Sequence, residues 1–181
     1  GQVSGAGVIA WDEPGTLSGE SNESNWQLHG GISPSSMAIH GGRLYVACWN
    51  APFVQIWDDI ASLTAATAPD VTLGAASDLG DAFHVSFRGD AMAVVVNDAP
   101  DDYGVSVYLD AGSIEGETEA DFMITSPTMI LPWKALLDGS GNLFVMDADE
   151  ILIFGDATTA PYLKARLDAS VTSPKDFALL E

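Results

Sequence analysis

Short runs of β-branched and aromatic residues recur along the whole chain, with Gly, Pro, Asp or Asn between them. Runs of roughly four to eight such residues, ended by turn-forming residues, are typical of β-strands. The longest stretch of this kind, Ala91 to Val96, is itself of strand length. No apolar run reaches the roughly 20 residues that a helix needs to cross a bilayer. We therefore expect an all-β protein without membrane insertion.

One of these strand patterns returns four times, each time starting with a β-branched residue and carrying an aromatic residue three positions later. The aromatic residues are Trp11, Trp57, Tyr108 and Phe154, at separations of 46, 51 and 46 residues. An Asp follows each of them within two positions. Four occurrences at a nearly constant spacing indicate a structural repeat.

Three further strand-like segments accompany the aromatic strand in each unit, so that a unit of roughly 45 to 50 residues holds four short strands, as in the blades of β-propellers. A β-sandwich also accommodates short strands at this spacing, but it does not require the same aromatic residue in each unit. We therefore predict a β-propeller of about four four-stranded blades, or a consecutive part of a larger propeller. The innermost strands, around Met37, Val85 and Ala135, are expected to be the most buried.

The repeat divides one predicted domain, residues 1–181, into units of approximately 35–80, 81–131 and 132–174, with a fourth unit formed by 1–34 together with 175–181. In that fourth unit the N-terminal region would supply the third and fourth strands, and the segment Asp176 to Leu180 an innermost strand. Two arrangements fit this division. Either the ring closes within the chain, or the chain is part of a larger ring completed by another copy or by further blades.

The segment Gly42 to Ala47, followed by Val54 to Asp58, resembles the blades of the YVTN and NHL-type propellers. In those families a Gly-x-Leu-Tyr-Val-Ala strand, a short loop containing Asn and a Val-x-Val-aromatic-Asp strand recur. Asn50 and Asn97 stand where that Asn is expected, and Asp147 takes the place in the next unit. The resemblance implies a fold but no single function, because such propellers include binding scaffolds, enzymes and surface proteins.

The charge of the chain limits the classes of partner that we expect it to bind. Asp and Glu number 26 against six Lys and Arg, which gives a formal net charge of −20. Because nucleic-acid binding relies on Lys and Arg that neutralise phosphates, nucleic acid is a poor partner. A protein, a glycan or a divalent cation such as Ca²⁺ is a better one. The scarcity of Lys and the acid excess also favour an extracellular, periplasmic or cell-surface location.

In propellers, the loops that join strand two to strand three and strand four to the next blade share one rim, and loops on a rigid scaffold often carry function. This rule, taken from the resemblance, gathers dispersed residues on one face. Trp49 and Trp133 have no counterpart in the other units, which makes them candidates for contacts with a sugar or a peptide. The full set of candidate ligand-binding residues is Trp49, Asn50, His84, Asn97, Tyr103, Trp133 and Lys134.

Carboxylates on the same predicted rim could bind Ca²⁺, which takes six to eight oxygen ligands. The candidates are Asp98, Asp101, Asp102, Asp147 and Asp149. None follows the spacing of an EF-hand loop, so solvated acidic turns are the alternative interpretation.

No catalytic motif is recognisable in the sequence, which lacks a Gly-x-Ser-x-Gly elbow, a His-Glu-x-x-His pair and a P-loop. The leading hypothesis is therefore a non-catalytic, exported or cell-surface binding or scaffold module that engages a protein, glycan or divalent cation through its acidic rim. A metal-dependent hydrolase or lactonase of the propeller type is a second hypothesis. A structural subunit whose ring is completed by another copy is a third.

Overall fold

The computed structural model describes residues 8–10, 26–28, 33–49, 53–64, 66–74, 81–98, 102–168 and 178. Within these ranges the regular structure consists of antiparallel β-strands and two single-turn 3-10 helices. None of the helices in this part of the chain is long and apolar enough to span a membrane.

Three antiparallel sheets of four strands each, here called blades I, II and III, follow one another along the chain. Blade I comprises β3 (Ser33–His40), β4 (Arg43–Trp49), β5 (Phe53–Trp57) and β6 (Val71–Leu73). Blade II comprises β7 (Asp81–Arg88), β8 (Ala91–Asp98), β9 (Asp102–Tyr108) and β10 (Phe122–Thr125). Blade III comprises β11 (Pro132–Leu137), β12 (Leu143–Asp147), β13 (Glu150–Gly155) and β14 (Tyr162–Asp168). A separate two-stranded sheet pairs β1 (Val8–Ala10) with β2 (Trp26–Leu28). The predicted all-β propeller fold is confirmed.

The repeated aromatic residue occupies the same place in each blade. Trp57, Tyr108 and Phe154 each lie on the third strand, opposite Leu44, Met92 and Leu143 of the second strand. All three side chains are buried. The sequence period therefore corresponds to a packing position, whereas Trp11 lies outside the described residues.

The pairing of β1 with β2 repeats that of the outer two strands of blade I. Val8 lies opposite Leu28, as Val54 lies opposite Leu73. The expectation that the N-terminal region contributes a third and a fourth strand is consistent with this register. The predicted innermost strand from Asp176 to Leu180 lies outside the described residues, apart from Ala178.

Two apolar layers hold the three blades face to face. The layer between blades I and II includes Tyr45, Ile56, Leu73, Val85, Met92 and Val94. The layer between blades II and III includes Val95, Val105, Val107, Ala135, Leu143 and Leu152. Since a single four-stranded sheet cannot bury both of its faces, burial of apolar surface between neighbouring blades is the main stabilising contribution.

The second strand of each blade, and not the innermost one, is the most buried. Leu44 to Cys48 and Met92 to Asn97 are buried without interruption. On β3, in contrast, Met37 is 59% and Ile39 is 65% exposed. The prediction that the innermost strands are the most buried was wrong, although Val85 and Ala135 are buried between blades. A first strand is the edge of its sheet, whereas a second strand has a neighbour on each side, so burial of a first strand depends on the neighbouring blade.

Candidate functional site

The register of the sheets gathers residues that are far apart in the sequence. Ser33 pairs with Trp49, Asp81 with Asn97, and Pro132 with Asp147. The start of each first strand therefore lies beside the end of each second strand. We call this end of blades I to III the rim.

Each first strand carries a β-bulge at the rim. The pairing with the second strand skips one residue in each blade: Ser35 in blade I, Phe83 in blade II and Trp133 in blade III. A bulge inserts an unpaired residue into a strand and redirects its side chain, and bulges are frequent next to functional sites. The repeated bulge therefore places one side chain per blade at an equivalent position of the rim.

The bulged aromatic residues form a row with Trp49. The ring centroids of Trp49 and Phe83 lie 5.9 Å apart with their planes tilted by 46°. Those of Phe83 and Trp133 lie 5.4 Å apart and nearly perpendicular, at 80°. Trp49 is 49% exposed and Trp133 is 43% exposed, whereas Phe83 is half-buried against the layer between blades II and III. This aromatic row spans all three blades and presents two indoles to solvent.

Ser35, the bulged residue of blade I, has a structural role instead. Its hydroxyl lies within hydrogen-bonding distance of two carbonyl oxygens, that of Ala82 at 2.7 Å and that of Ala47 at 3.1 Å. Because Ala82 belongs to blade II and directly precedes Phe83, this contact fixes the backbone on which the centre of the aromatic row is carried.

A second row, of polar side chains, crosses blade II at the rim. Asp81, Asn97 and Tyr103 pair across β7, β8 and β9 and share one face of the sheet. This face also carries Val95, whose side chain packs between blades II and III, so the polar row is on the side of blade III. Asn97 is 8% exposed, and its Oδ1 has no hydrogen-bond partner among the residues that the structure describes. The polar row thus includes a buried acceptor that lacks a donor in the described part of the chain.

The predicted His84 and Lys134 follow the bulged residues Phe83 and Trp133 directly, and both side chains are half-buried. His84 pairs with Val95 and Lys134 with Met146, at equivalent positions of blades II and III. The two side chains are therefore on the same face of two successive sheets and do not face one another across the gap between blades.

The predicted metal ligands divide into three groups. Asp147 is 1% exposed, and its carboxylate accepts hydrogen bonds from the backbone N–H groups of Ile130, at 3.0 and 3.1 Å, and Leu131, at 2.6 Å. It fixes the connection that leads into β11. Asp149 is exposed in the turn between β12 and β13.

The remaining candidates belong to the hairpin between β8 and β9, where the backbones of Asp98 and Asp102 pair. Asp101 and the ligand-binding candidate Asn50 lie outside the described residues. Within the described ranges, no group of three or more His, Cys, Asp and Glu residues is placed to hold a metal ion. Calcium and the metal-dependent hydrolase stay predictions.

The structure adds two residues to the candidates, Phe83 and Asp81. A signal for Phe83 was present in the sequence, since Ala82 to Val85 aligns with Pro132 to Ala135 and places Phe83 at the position of Trp133. The view that Trp133 has no counterpart was wrong for this reason. The register also corrects the equivalence of Asn50, Asn97 and Asp147: Asn97 corresponds to Trp49, and Asp147 corresponds to Cys48.

Successive four-stranded meanders, packed face to face with a repeated bulge at one end, define an all-β repeat protein of the propeller type. The fold is similar to that of the computationally designed Ika8 protein, with 14% sequence identity, a TM-score of 0.50, and coverage of 84% of this chain and 44% of that one. The structure of YCF48 bound to D1 peptide matches with 11% identity, a TM-score of 0.42, and coverage of 74% and 40%. This chain spans less than half the length of either protein. No protein family and no curated protein matches its sequence. The resemblance to YVTN and NHL-type propellers is therefore one of fold.

Proposed function

We propose that this chain is a non-catalytic binding module, exported or on the cell surface, that holds a protein or glycan ligand across the rim. The observation that carries the proposal is the aromatic row Trp49–Phe83–Trp133. Isolated exposed aromatic residues are common on protein surfaces. Here three rings from three successive blades are in contact, and the two indoles are about half exposed to solvent. A folded core does not require such an arrangement.

The scaffold of the aromatic row supports the same function. Phe83 and Trp133 are carried by strands, and Trp49 directly follows the buried residues Leu44 to Cys48 of β4. A site built on strands loses little conformational entropy when a ligand binds, because its side chains are already positioned. Tryptophan is also among the residues that contribute most to binding at interfaces.

The test compares the binding of purified protein to peptide and glycan arrays with that of the variant carrying Trp49→Ala and Trp133→Ala together. The control variant is Tyr162→Ala, which removes a comparably exposed aromatic ring from β14. We expect the double variant to lose the ligands that the native protein retains, and the control variant to keep them. Unchanged array binding in a folded double variant would contradict the proposal.

A second candidate function, a structural subunit whose ring is completed by another copy or by further blades, is supported by the exposed face of β3. Met37 and Val85 occupy equivalent positions, opposite Val46 and Val94. Val85 is 2% exposed because it packs between blades I and II, whereas Met37 is 59% exposed. Within the part of the chain that the structure describes, no sheet covers Met37 as blade I covers Val85.

Sedimentation velocity over a range of concentrations tests this candidate. If a second copy covers β3, Ile39→Glu shifts the assembly to monomer, and Met123→Glu, at an exposed position of the outer strand β10, does not. A species that stays monomeric at every concentration would exclude ring completion by a second copy.

A further inference from the structure

Resting on the proposed binding function, we infer that the rim of blades II and III binds an arginine side chain presented by a basic protein segment. Two neighbouring features of the rim, the aromatic row and the polar row Asp81–Asn97–Tyr103, favour this ligand.

The aromatic row provides the faces on which a guanidinium group stacks. A planar cation gains from contact with the electron-rich face of an indole, and Arg makes this contact more often than Lys. Trp133 is 43% exposed to solvent, and its ring is nearly perpendicular to that of Phe83, which packs against it. A ligand group therefore has access to an indole whose position is fixed by packing.

The polar row provides acceptors for the same group. The Oδ1 atom of Asn97 can only accept a hydrogen bond, so a group that satisfies it must be a donor. The carboxylate of Asp81, which pairs with Asn97 on the same face, adds a negative charge beside that acceptor. A guanidinium carries five donors and no acceptor, and it pairs with carboxylates in a planar geometry. This combination of acceptors, with one of them buried, suits an arginine better than a sugar hydroxyl.

The charge of the whole chain favours the same ligand. A formal net charge of −20 attracts basic segments and speeds their association at low salt. Lys134 is the cation nearest in sequence to the aromatic row, but the register places it on the face of blade III that points away from blade II. It therefore lies away from the polar row, on whose face Asp81 and His84 lie.

The experiment measures the fluorescence anisotropy of three labelled peptides of equal length, in which glycine alternates with arginine, lysine or glutamate. We expect the arginine peptide to bind and its affinity to fall with added salt. The lysine peptide should bind more weakly, since a lysine ammonium does not stack as a plane on an indole. The glutamate peptide should not bind.

Two charge-matched variants separate the site from general attraction. Asp81→Asn removes a carboxylate of the polar row, and Asp110→Asn removes an exposed carboxylate that follows β9 on blade II. We expect Asp81→Asn to weaken binding of the arginine peptide about fivefold or more, which corresponds to roughly 1 kcal/mol. Asp110→Asn should leave it nearly unchanged. Trp133→Ala should weaken it as well.

Equal losses in the two Asp variants, or equal affinities for the arginine and lysine peptides, would overturn the inference. The same experiments distinguish a failure of the arginine site from a failure of the proposed binding function. If glycans bind in a manner that requires Trp49 and Trp133 while the arginine peptide does not bind, the binding module stands and the arginine site fails. If no ligand of either class depends on these two residues, both fail.

Discussion

Single side chains close the turns of this fold, and Asp138 is the clearest example. Its carboxylate accepts hydrogen bonds from the backbone N–H groups of Ser140 and Asn142, both at 2.8 Å, and from the side-chain amide of Asn142 at 2.7 Å. Burial favours the neutral carboxyl group, but these hydrogen bonds and the charge of Lys164 outweigh it and lower the pKa of Asp138. The charged form therefore stabilises the hairpin between β11 and β12.

Replacement of Asp138 by Ala should have a pH-dependent cost. Because the pKa is lower in the folded than in the unfolded chain, the contribution is fully present above about pH 4 and is lost as the pH falls through the folded-state value. We expect Asp138→Ala to reduce the free energy of unfolding by about 1 kcal/mol at neutral pH and by much less at about pH 2. Urea unfolding at both pH values measures this difference. Asp110→Ala, whose side chain makes no capping hydrogen bond, is the control.

Cys48 should be unreactive in the folded protein. Its side chain is fully buried, and this burial raises the pKa of the thiol to about 12, so that almost no thiolate forms at neutral pH. We expect the reaction with Ellman's reagent to be at least about a hundredfold slower in the native than in the unfolded chain. An exposed thiol from Ser140→Cys in a Cys48→Ala background serves as the positive control. Rapid native labelling of Cys48 would show that β4 is not packed as described.

At the residue scale, the sequence predicted part of the candidate site. Trp49 and Trp133 were predicted from their absence elsewhere in the repeat, and the structure places both in one aromatic row. Phe83, which joins them, was missed because the hydrophobic pattern does not report a bulge. Only the alignment of Ala82 to Val85 with Pro132 to Ala135 places it at the position of Trp133. Asp147 was predicted as a metal ligand. Its bonds to two amides of a connection depend on a loop path that no spacing in the sequence reveals.

At the scale of elements, Arg43 joins two blades. Its guanidinium extends from β4 to the carbonyl oxygens of Gly112 at 3.1 Å and Ile114 at 2.8 Å, at the 3-10 helix that follows β9, and its Nε donates to Asp58 at 2.7 Å. Burial works against the charged guanidinium, but the hydrogen bond and the charge of Asp58 outweigh it and raise the pKa of Arg43 further. The contact lies at the end of the blades opposite the rim.

Replacement of Arg43 by Met should therefore destabilise the contact between blades I and II. The part-buried carbonyl groups of Ala111 and Ile114 lose a charged donor, which costs about 2 kcal/mol in the free energy of unfolding. The matched control is Lys164→Met, which removes the same charge but a single exposed hydrogen bond to Asn142. Chemical denaturation measures the free energy of unfolding of both variants. Equal losses would mean that the Arg43 contacts contribute little to stability.

The strand order and pairing were largely predictable from the sequence, because each blade repeats the same register. The pairing of Val105 with Ile124 in blade II repeats that of Val54 with Leu73 in blade I. The burial of the first strands was not predictable. It depends on whether a neighbouring blade packs against the strand. Blade I covers Val85, whereas Met37 is 59% exposed, and the hydrophobic pattern of a strand does not report which blade lies beside it.

At the scale of the whole molecule, the formal net charge of −20 should oppose folding through repulsion within the compact state. Between about 0.01 M and about 1 M NaCl the Debye length falls from about 30 Å to about 3 Å, which screens this repulsion. We expect the thermal unfolding midpoint at neutral pH to rise with NaCl over this range. Near pH 4.1, the isoelectric point of the sequence, the rise should be much smaller. A midpoint that does not change with salt at neutral pH would contradict this prediction.

The central claim is that the rim with its aromatic row is a ligand-binding surface, and the indole N–H signals of the protein test it most directly. Each signal is assigned in a ¹H–¹⁵N spectrum by replacing one tryptophan at a time with phenylalanine, and the arginine–glycine peptide is then titrated. We predict saturable shifts of the Trp49 and Trp133 signals and no shift for Trp57, which is buried and donates its Nε1–H to the carbonyl oxygen of Thr67 at 3.1 Å. Binding that shifts other signals while those of Trp49 and Trp133 stay in place would contradict the account.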